Sequence, residues 1–369
     1  DGERYSIIAG YPWFGDWGRD TMIALPGLCL ATGRHDIALR ILNTFVAYVS
    51  AGMLPNRFPG AGDEPEYNTV DAALWFIEAW RAYFELTGDI GAIRNVFPAL
   101  QQTIHFYRDG TRYGIAMDPA DGLIAAGVTG TQLTWMDARV NGRVITPRHG
   151  KPVEINALWF NALSSMVLFC KALDLPDDEY KAMAERTTEG FSQYVRDDGL
   201  GLYDVLDGPE GNDASIRPNQ LLAVSLPSSP VTSRSVMQSI VDVCERDLLT
   251  PVGLRSLASS DQKYVGCYQG SVAQRDGSYH QGTVWAWLLG HYALAEFRVT
   301  NDVQRAQHRL APLQAHLSEA GIGTISEIFD GDAPHSPRGA PSQALSVACT
   351  LEAWWKLELK KSEKQELAE

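Results

Sequence analysis

Six times along this chain a short polar segment passes without a break into an apolar run. The junctions are "DWGRDTMIALPGLCLA" from Asp16, "EYNTVDAALWFIEAW" from Glu66 and "VEINALWFNALSSMVLF" from Val153, followed by "IRPNQLLAVSLP" from Ile216, "YHQGTVWAWLLGHYALA" from Tyr279 and "APSQALSVACTLEAWW" from Ala340. Each carries Asp, Asn, Gln or Thr near its start, as a helix N-terminus prefers. Most are then apolar nearly all round, which marks a helix buried on every face. Between them lie stretches whose apolar positions recur at helical spacing but whose other face is charged: His35–Ser50, Asp89–Tyr107, Asp177–Val195, Ser233–Arg246 and Asp302–Glu319. Buried and half-buried helices therefore alternate, at about sixty residues per repeat in the later part of the chain.

The economical way to bury six such helices is an all-α closed ring of hairpins, an (α/α)6 barrel with six inner helices wrapped by outer ones. The inner helices then run parallel, and their polar starts meet at one end around a single cavity. Six inner but five outer helices are visible, so the first outer helix is expected ahead of Asp1, in a chain that is a fragment. Strand-like alternation is rare, and neither a βαβ unit nor a Gly-rich phosphate loop is found. The longest interval, Tyr107 to Val153, holds Tyr113, Trp135 and many apolar residues, too many for a linker. The expectation is one catalytic domain over residues 1–369, with an ordered active-site loop at about 108–153. The ending "KKSEKQELAE" reads as a charged helical tail.

Composition narrows the partners. A net charge of −14 and a pI near 5.0 argue against nucleic acid and anionic membranes, and suit a neutral substrate. The five cysteines, Cys29, Cys170, Cys244, Cys267 and Cys349, show neither CxxC spacing nor a His–Cys cluster, so no metal centre is expected. Buried free thiols in a reducing, cytoplasmic compartment are the simpler reading. No segment is expected to reach the roughly 18–20 apolar residues of a membrane span.

A cavity rich in Trp, Tyr, Asp, Glu and Asn suits a sugar, whose C–H faces stack on rings while its hydroxyls seek bidentate partners. Hydrolysis of a sugar linkage then needs two carboxyl groups flanking the bond. Asp137, in "QLTWMDARV", has the apolar neighbours Trp135 and Met136 that raise a carboxyl pKa and favour a general acid. Glu327, in "GIGTISEIFDGDAPHSPRGAPSQAL", sits among Ile325, Ile328 and Phe329, but Asp330 and Asp332 are rivals that spacing does not rank. Asn68, Asp71, Glu154 and Asn156 could each cap a helix. His149 and His280 read as hydrogen-bonding partners, and Trp75, Trp159 and Trp285 as residues inside helices. No Gx-Ser-xG elbow or Cys/His pair supports nucleophilic catalysis.

Taken together, "AGYPWFGDWGRDTMIALPGL", "YNTVDAALWF", "TWMDARVNGRVITPRHGKPVEINALWFNAL", "YHQGTVWAWLLG" and "SEIFDGDAPHSPRGAPSQALSVA" resemble the C-terminal amylo-α-1,6-glucosidase domain of glycogen debranching enzymes, from about Ile8 to Lys356. The resemblance implies an (α/α)6 barrel related to glucoamylases. It also implies inverting hydrolysis of the single α-1,6-linked glucose at a branch of glycogen or limit dextrin, without a cofactor or metal. Asp137 is similar to the family's general acid and Glu327 to its general base. Arg19 and Asp20 resemble the pair that grips the outer hydroxyls of the terminal glucose. Trp17, Asp71, Trp135, His149, Glu154, Asn156, Gln220, His280 and Trp285 fall in motif blocks lining the same pocket. Other inverting exo-glucosidases of this barrel (glucoamylase, trehalase or glucosylglycerate hydrolase types) are the enzymatic alternative. A non-catalytic glycan-binding protein predicts loss of one carboxylate, and both are present.

Overall fold

The computed structural model describes residues 5–57 and 64–366, so the last three residues of the expected charged tail lie outside the described residues. Its helices are α1 (Gly18–Leu25, continued by a π-helical turn Pro26–Leu30), α2 (His35–Val46), α3 (Ala72–Thr87) and α4 (Ile90–Asp109), then α5 (Val153–Leu173), α6 (Asp178–Phe191) and α7 (Leu222–Ser225, entered through the 3-10 turn Pro218–Leu221). They continue as α8 (Arg234–Asp247), α9 (Val272–Ser278), α10 (Trp287–Thr300), α11 (Val303–Leu310), α12 (Pro312–His316) and α13 (Ala344–Glu366).

Helices α1, α3, α5, α7, α10 and α13 pack each against the next, and α13 packs back on α1, which closes the ring. The architecture is the (α/α)6 toroid. Around it, α2, α4, α6, α8 and α11 fill outer positions. α4 bridges α3 and α5, and α11 bridges α10 and α13. Between α13 and α1 the described residues supply no outer helix.

Composition explains the division of labour. In α5, apolar nearly all round, 14 of 21 residues are buried. This helix is long and apolar enough to cross a membrane by length and composition, contrary to the sequence expectation of no such segment. Its apolarity serves the ring instead, since 78% of its most apolar stretch is buried inside the protein.

The junctions are less helical than the sequence suggests. The fifth inner helix begins at Trp287 rather than near Tyr279, because Val284–Trp285 is a strand inside an antiparallel ladder. That ladder runs Leu249–Thr250, Gly253–Arg255, Val284–Trp285, Ile328–Phe329, Pro337–Arg338. The fourth inner helix is cut short after Ser225 by Leu226, extended at φ −62°, ψ 151°, ahead of Pro227. A second small sheet pairs Ser342–Gln343 with Ile8–Tyr11, which turns back as Phe14–Asp16. These short strands escape sequence patterning, since two or three residues are too few to show alternation. They hold the polar lead-ins extended at the mouth of the ring.

Candidate active site

The first lead-in sets the pattern. Trp17, at φ −118° and ψ 130°, precedes α1 without a side-chain cap, so Arg19 and Asp20 lie in the first turn. Arg19 is 5% exposed and reaches across the ring. Its Nε donates to both oxygens of Asp71 (2.9 and 2.8 Å), its Nη1 to Asp137 Oδ2 (3.2 Å) and its Nη2 to Thr69 Oγ1 (3.1 Å). Asp71 occupies the N-cap position of α3 but makes no cap bond there, because its carboxylate faces the guanidinium. One arginine thus ties together the first inner helix, the start of the second and the long loop.

That loop is ordered. Val70 N–H donates to the Leu133 carbonyl (2.8 Å), and a short hairpin, Arg139–Val140 with Arg143–Val144, follows Asp137. Trp135 Nε1 donates to Asn219 Oδ1 (2.7 Å), anchoring the loop to the fourth inner position. Trp135 meets the rings of His280, Trp285 and Trp287 edge-on at 5.2–5.4 Å. His280 stacks on Trp285 at 5.2 Å and 9°. The result is an aromatic wall.

Trp135, Asp137, His280, Trp285 and Glu327 line a cavity of about 110 Å³ together with Trp17, Arg19 and Asp20. Glu327, 3% exposed, is clamped. Its Oε2 accepts the Ala340 N–H (2.8 Å) and its Oε1 accepts the Tyr279 hydroxyl. Gly339 makes the clamp possible: at φ 65° it adopts a left-handed turn, and a Cβ there would meet Glu327 Oε2 at 2.3 Å.

Burial pushes the Glu327 carboxyl above its ordinary pKa, while the Tyr279 hydroxyl and the Ala340 N–H pull it back toward ionisation. Burial also raises Asp137, against the opposing charge of Arg19. Asp20 is pushed up to about 7, chiefly by burial; Arg19 opposes this, and Asp137, Glu327 and Asp71 add to it. Three cavity carboxyls therefore hold protons more tightly than free ones, the condition for proton transfer near neutrality. His280 is held well below its usual pKa by burial and by Arg217 and Arg19, so its ring is neutral. Neither of its ring nitrogens has a partner among the described residues, nor does Gln343 Oε1, another lining atom. These groups can serve a polyhydroxylated ligand.

Other expected residues lie elsewhere. Asp71 stands behind Arg19 and is not a lining residue. Glu154 pairs with Arg148, which also holds Asp204 (Nε to Oδ2, 2.7 Å). Asn156 accepts the Ile124 N–H (2.6 Å) and donates to the Ile124 and Pro152 carbonyls (3.1 Å each). Gln220 accepts the Leu202 N–H (3.0 Å). His149 lines a separate, larger groove of about 790 Å³. Trp285 is in a strand rather than inside a helix, and it faces the cavity.

The rivals to Glu327 are engaged outside the cavity: Asp330 with Arg338 (2.8 Å) and the Tyr268 N–H (2.7 Å), Asp332 with the Tyr264 hydroxyl (2.9 Å). Tyr279 and Gln343 are lining residues that sequence reasoning did not single out, although both stand within the junctions quoted above. Nothing in the sequence signals their contacts, which arise from pairing between distant segments. One acid cluster among the described residues has metal-like spacing, Asp118, Asp121 and Asp207. Its oxygens converge on the Lys151 ammonium at 2.7–2.8 Å, a tethered cation where a metal ion would sit.

Comparison with known proteins follows this geometry. The family model described as amylo-alpha-1,6-glucosidase matches residues 1–352. The glycogen debranching enzyme of Saccharomyces cerevisiae is 25% identical over 95% of this chain, which spans 30% of that protein's length. Among solved structures, the GH63 mannosylglycerate hydrolase of Thermus thermophilus in complex with Tris is similar at a TM-score of 0.70 and 15% identity, covering 96% of this chain and 97% of that one. Its complex with glucose gives 0.67 and 17%, with 95% of each chain covered. At such identities these structures speak for the fold alone.

Proposed function

The chain belongs to the amylo-alpha-1,6-glucosidase family, and from that premise we propose that it is an inverting exo-glycosidase removing α-1,6-linked glucose from branch points of glycogen or limit dextrin. The observation that carries the reading is the meeting of Asp137 and Glu327, from distant parts of the chain, in one small cavity with an aromatic wall. A cavity of about 110 Å³ suits one terminal sugar, hence exo action. Arg19 and Asp20, both in its lining, would grip the outer hydroxyls.

In the proposed reaction Glu327 takes a proton from a water molecule whose oxygen attacks C1 of the glucose. The C1–O6 bond breaks, and Asp137 gives its proton to the departing O6. Burial raises the Asp137 carboxyl pKa against the pull of Arg19, the direction a general acid requires. The Tyr279 and Ala340 donors favour the ionised Glu327 that a general base requires. Displacement by water needs the two carboxyl groups roughly 6.5–9.5 Å apart.

A glycoside of glycerate, the substrate type in the name of the Thermus enzyme, is a second reading. It needs a free cation for the glycerate carboxylate. Among the described lining residues the cation is Arg19, which already faces Asp71 and Asp137. This favours a neutral substrate. Glucose release from a branched limit dextrin, set beside maltose, trehalose and glucosylglycerate, tests the proposal. Release mainly from the limit dextrin is expected, and activity confined to trehalose or glucosylglycerate would overturn it.

A further inference from the structure

Resting on the glycosidase reading, we propose that Tyr11 and Trp13, at the tip of the hairpin Ile8–Tyr11/Phe14–Asp16, form an aromatic platform for the glucan on the leaving-group side of the bond. Both rings stand in solvent, 65% and 67% exposed, and Trp13 is the most exposed tryptophan among the described residues. Together they put two large exposed rings at the tip of one small hairpin. A pair of this kind beside a cavity marks a contact surface rather than scatter.

The hairpin is continuous with the cavity. Ala9, two residues before Tyr11 on the first strand, lines the cavity. On the return strand Phe14, next to Trp13, lines the cavity too. The tip is held in place by its sheet. Gly10 pairs with both Phe14 and Gln343, and a Cβ on Gly10 would strike Phe14 Cδ2 at 2.8 Å and Gln343 Oε1 at 2.9 Å. The rings are therefore carried at the tip of the element whose Ala9 and Phe14 line the cavity, outside the space for the terminal glucose.

The chemistry selects a neutral occupant. The turn Tyr11-Pro12-Trp13-Phe14-Gly15 carries no charge. Each of the two rings offers an apolar face and one polar handle, which suits a pyranose with its C–H face and rim of hydroxyls. The larger groove lined by Arg143, His149, Asn212 and Lys263 has no Trp, Tyr or Phe in its lining. Stacking therefore favours the hairpin side for the polymer.

The double variant Tyr11→Ala/Trp13→Ala tests this in the full chain. Two substrates are compared: a maltooligosaccharide carrying one α-1,6-glucose, and α-D-glucosyl fluoride, whose leaving group holds no sugar. The ratio of kcat/KM on the branched substrate to that on the fluoride is expected to fall about tenfold or more, the scale of losing well-packed aromatic contacts, mostly through KM. Tyr11→Phe/Trp13→Phe, which keeps both ring faces, is expected to recover most of the ratio. An unchanged ratio in an enzyme that cleaves both substrates overturns the platform and leaves the glycosidase reading standing. If the wild type cleaves neither, the glycosidase reading falls and the platform with it. A wild-type dimer that the double variant converts to monomer, with the ratio unchanged, assigns the tip to contact between copies and overturns the proposal.

Discussion

The ring holds two arginine–carboxylate clusters that look alike in sequence and differ in kind. Around Arg148, each guanidinium nitrogen finds an oxygen of Glu154 or Asp204, and all three side chains are 1–2% exposed. Around Arg19, one guanidinium faces Asp71 and Asp137, while Asp20 and Glu327 have no ion-pair partner among the described residues. With Arg217, whose Nε stands 4.0 Å from Asp204 Oδ2, the first cluster has a cation for each carboxylate and braces the start of α5, although burial still raises Glu154. The second sets Arg19 alone against Asp20, Asp71, Asp137 and Glu327, and burial raises Asp20, Asp137 and Glu327 together. A shortage of counter-charge separates a site able to move protons from one that only holds helices in place.

The sharpest break between the two comes from removing one member of each. Glu327→Gln is expected to lower kcat for glucose release by about 10²–10⁴-fold, the scale of general acid–base catalysis. Its thermal midpoint should stay close to wild type, because burial already disfavours the charge. Retention of activity would move the base to another acid.

Arg148→Met should do the reverse. It strips the buried carboxylates of Glu154 and Asp204 of their closest cation, leaving Asp204 only Asn219 (2.8 Å) and Arg217 (4.0 Å), at a cost of about 3–5 kcal/mol read from urea unfolding. The protein that remains folded should keep most of its kcat. A large loss of kcat at full stability would dissolve the distinction between the clusters.

Tyr279→Phe sharpens the comparison from within the cavity. The lost hydroxyl lowers the Glu327 pKa in the wild type, so its removal lets that pKa rise. The acidic limb of the pH–rate profile should then shift to higher pH, because a general base works ionised. An unmoved limb would detach Tyr279 from Glu327.

Asp20→Asn is expected to act on the pH dependence of stability. Asp20 has a folded pKa near 7, above its ordinary value of 3.8, so the folded protein prefers the protonated form. Its stabilising contribution is full below about pH 4 and is lost as pH rises through 7. The thermal midpoint of Asp20→Asn relative to wild type should therefore improve from pH 4 to pH 8. The opposite trend would mean that Asp20 is ionised at low pH in the folded cavity.

The ring was legible in the sequence because buried helices announce themselves by being apolar all round, as in "NALWFNALSSMVLF". The site was legible in part. The crowded start of the first helix marked Trp17, Arg19 and Asp20, and the apolar neighbours of Asp137 in the long loop marked Trp135 and Asp137; the fold gathers all five into one cavity. Glu154, Asn156 and Gln220 stood at equivalent junctions and look the same in one dimension. Their side chains turn instead to backbone groups or to Arg148. Asp71 reads as a cap along the chain, and only the approach of Arg19 from another helix shows its use. Spacing left Glu327 and Asp330 unranked and the family resemblance chose Glu327; the fold adds that Asp330 is engaged by Arg338.

The central claim is that Asp137 and Glu327 hydrolyse the linkage in a single displacement by water. The most direct test follows the first-formed anomer by NMR as glucose is released from a branched limit dextrin, before mutarotation. Single displacement gives β-glucose as the initial product; α-glucose as the initial product would contradict it.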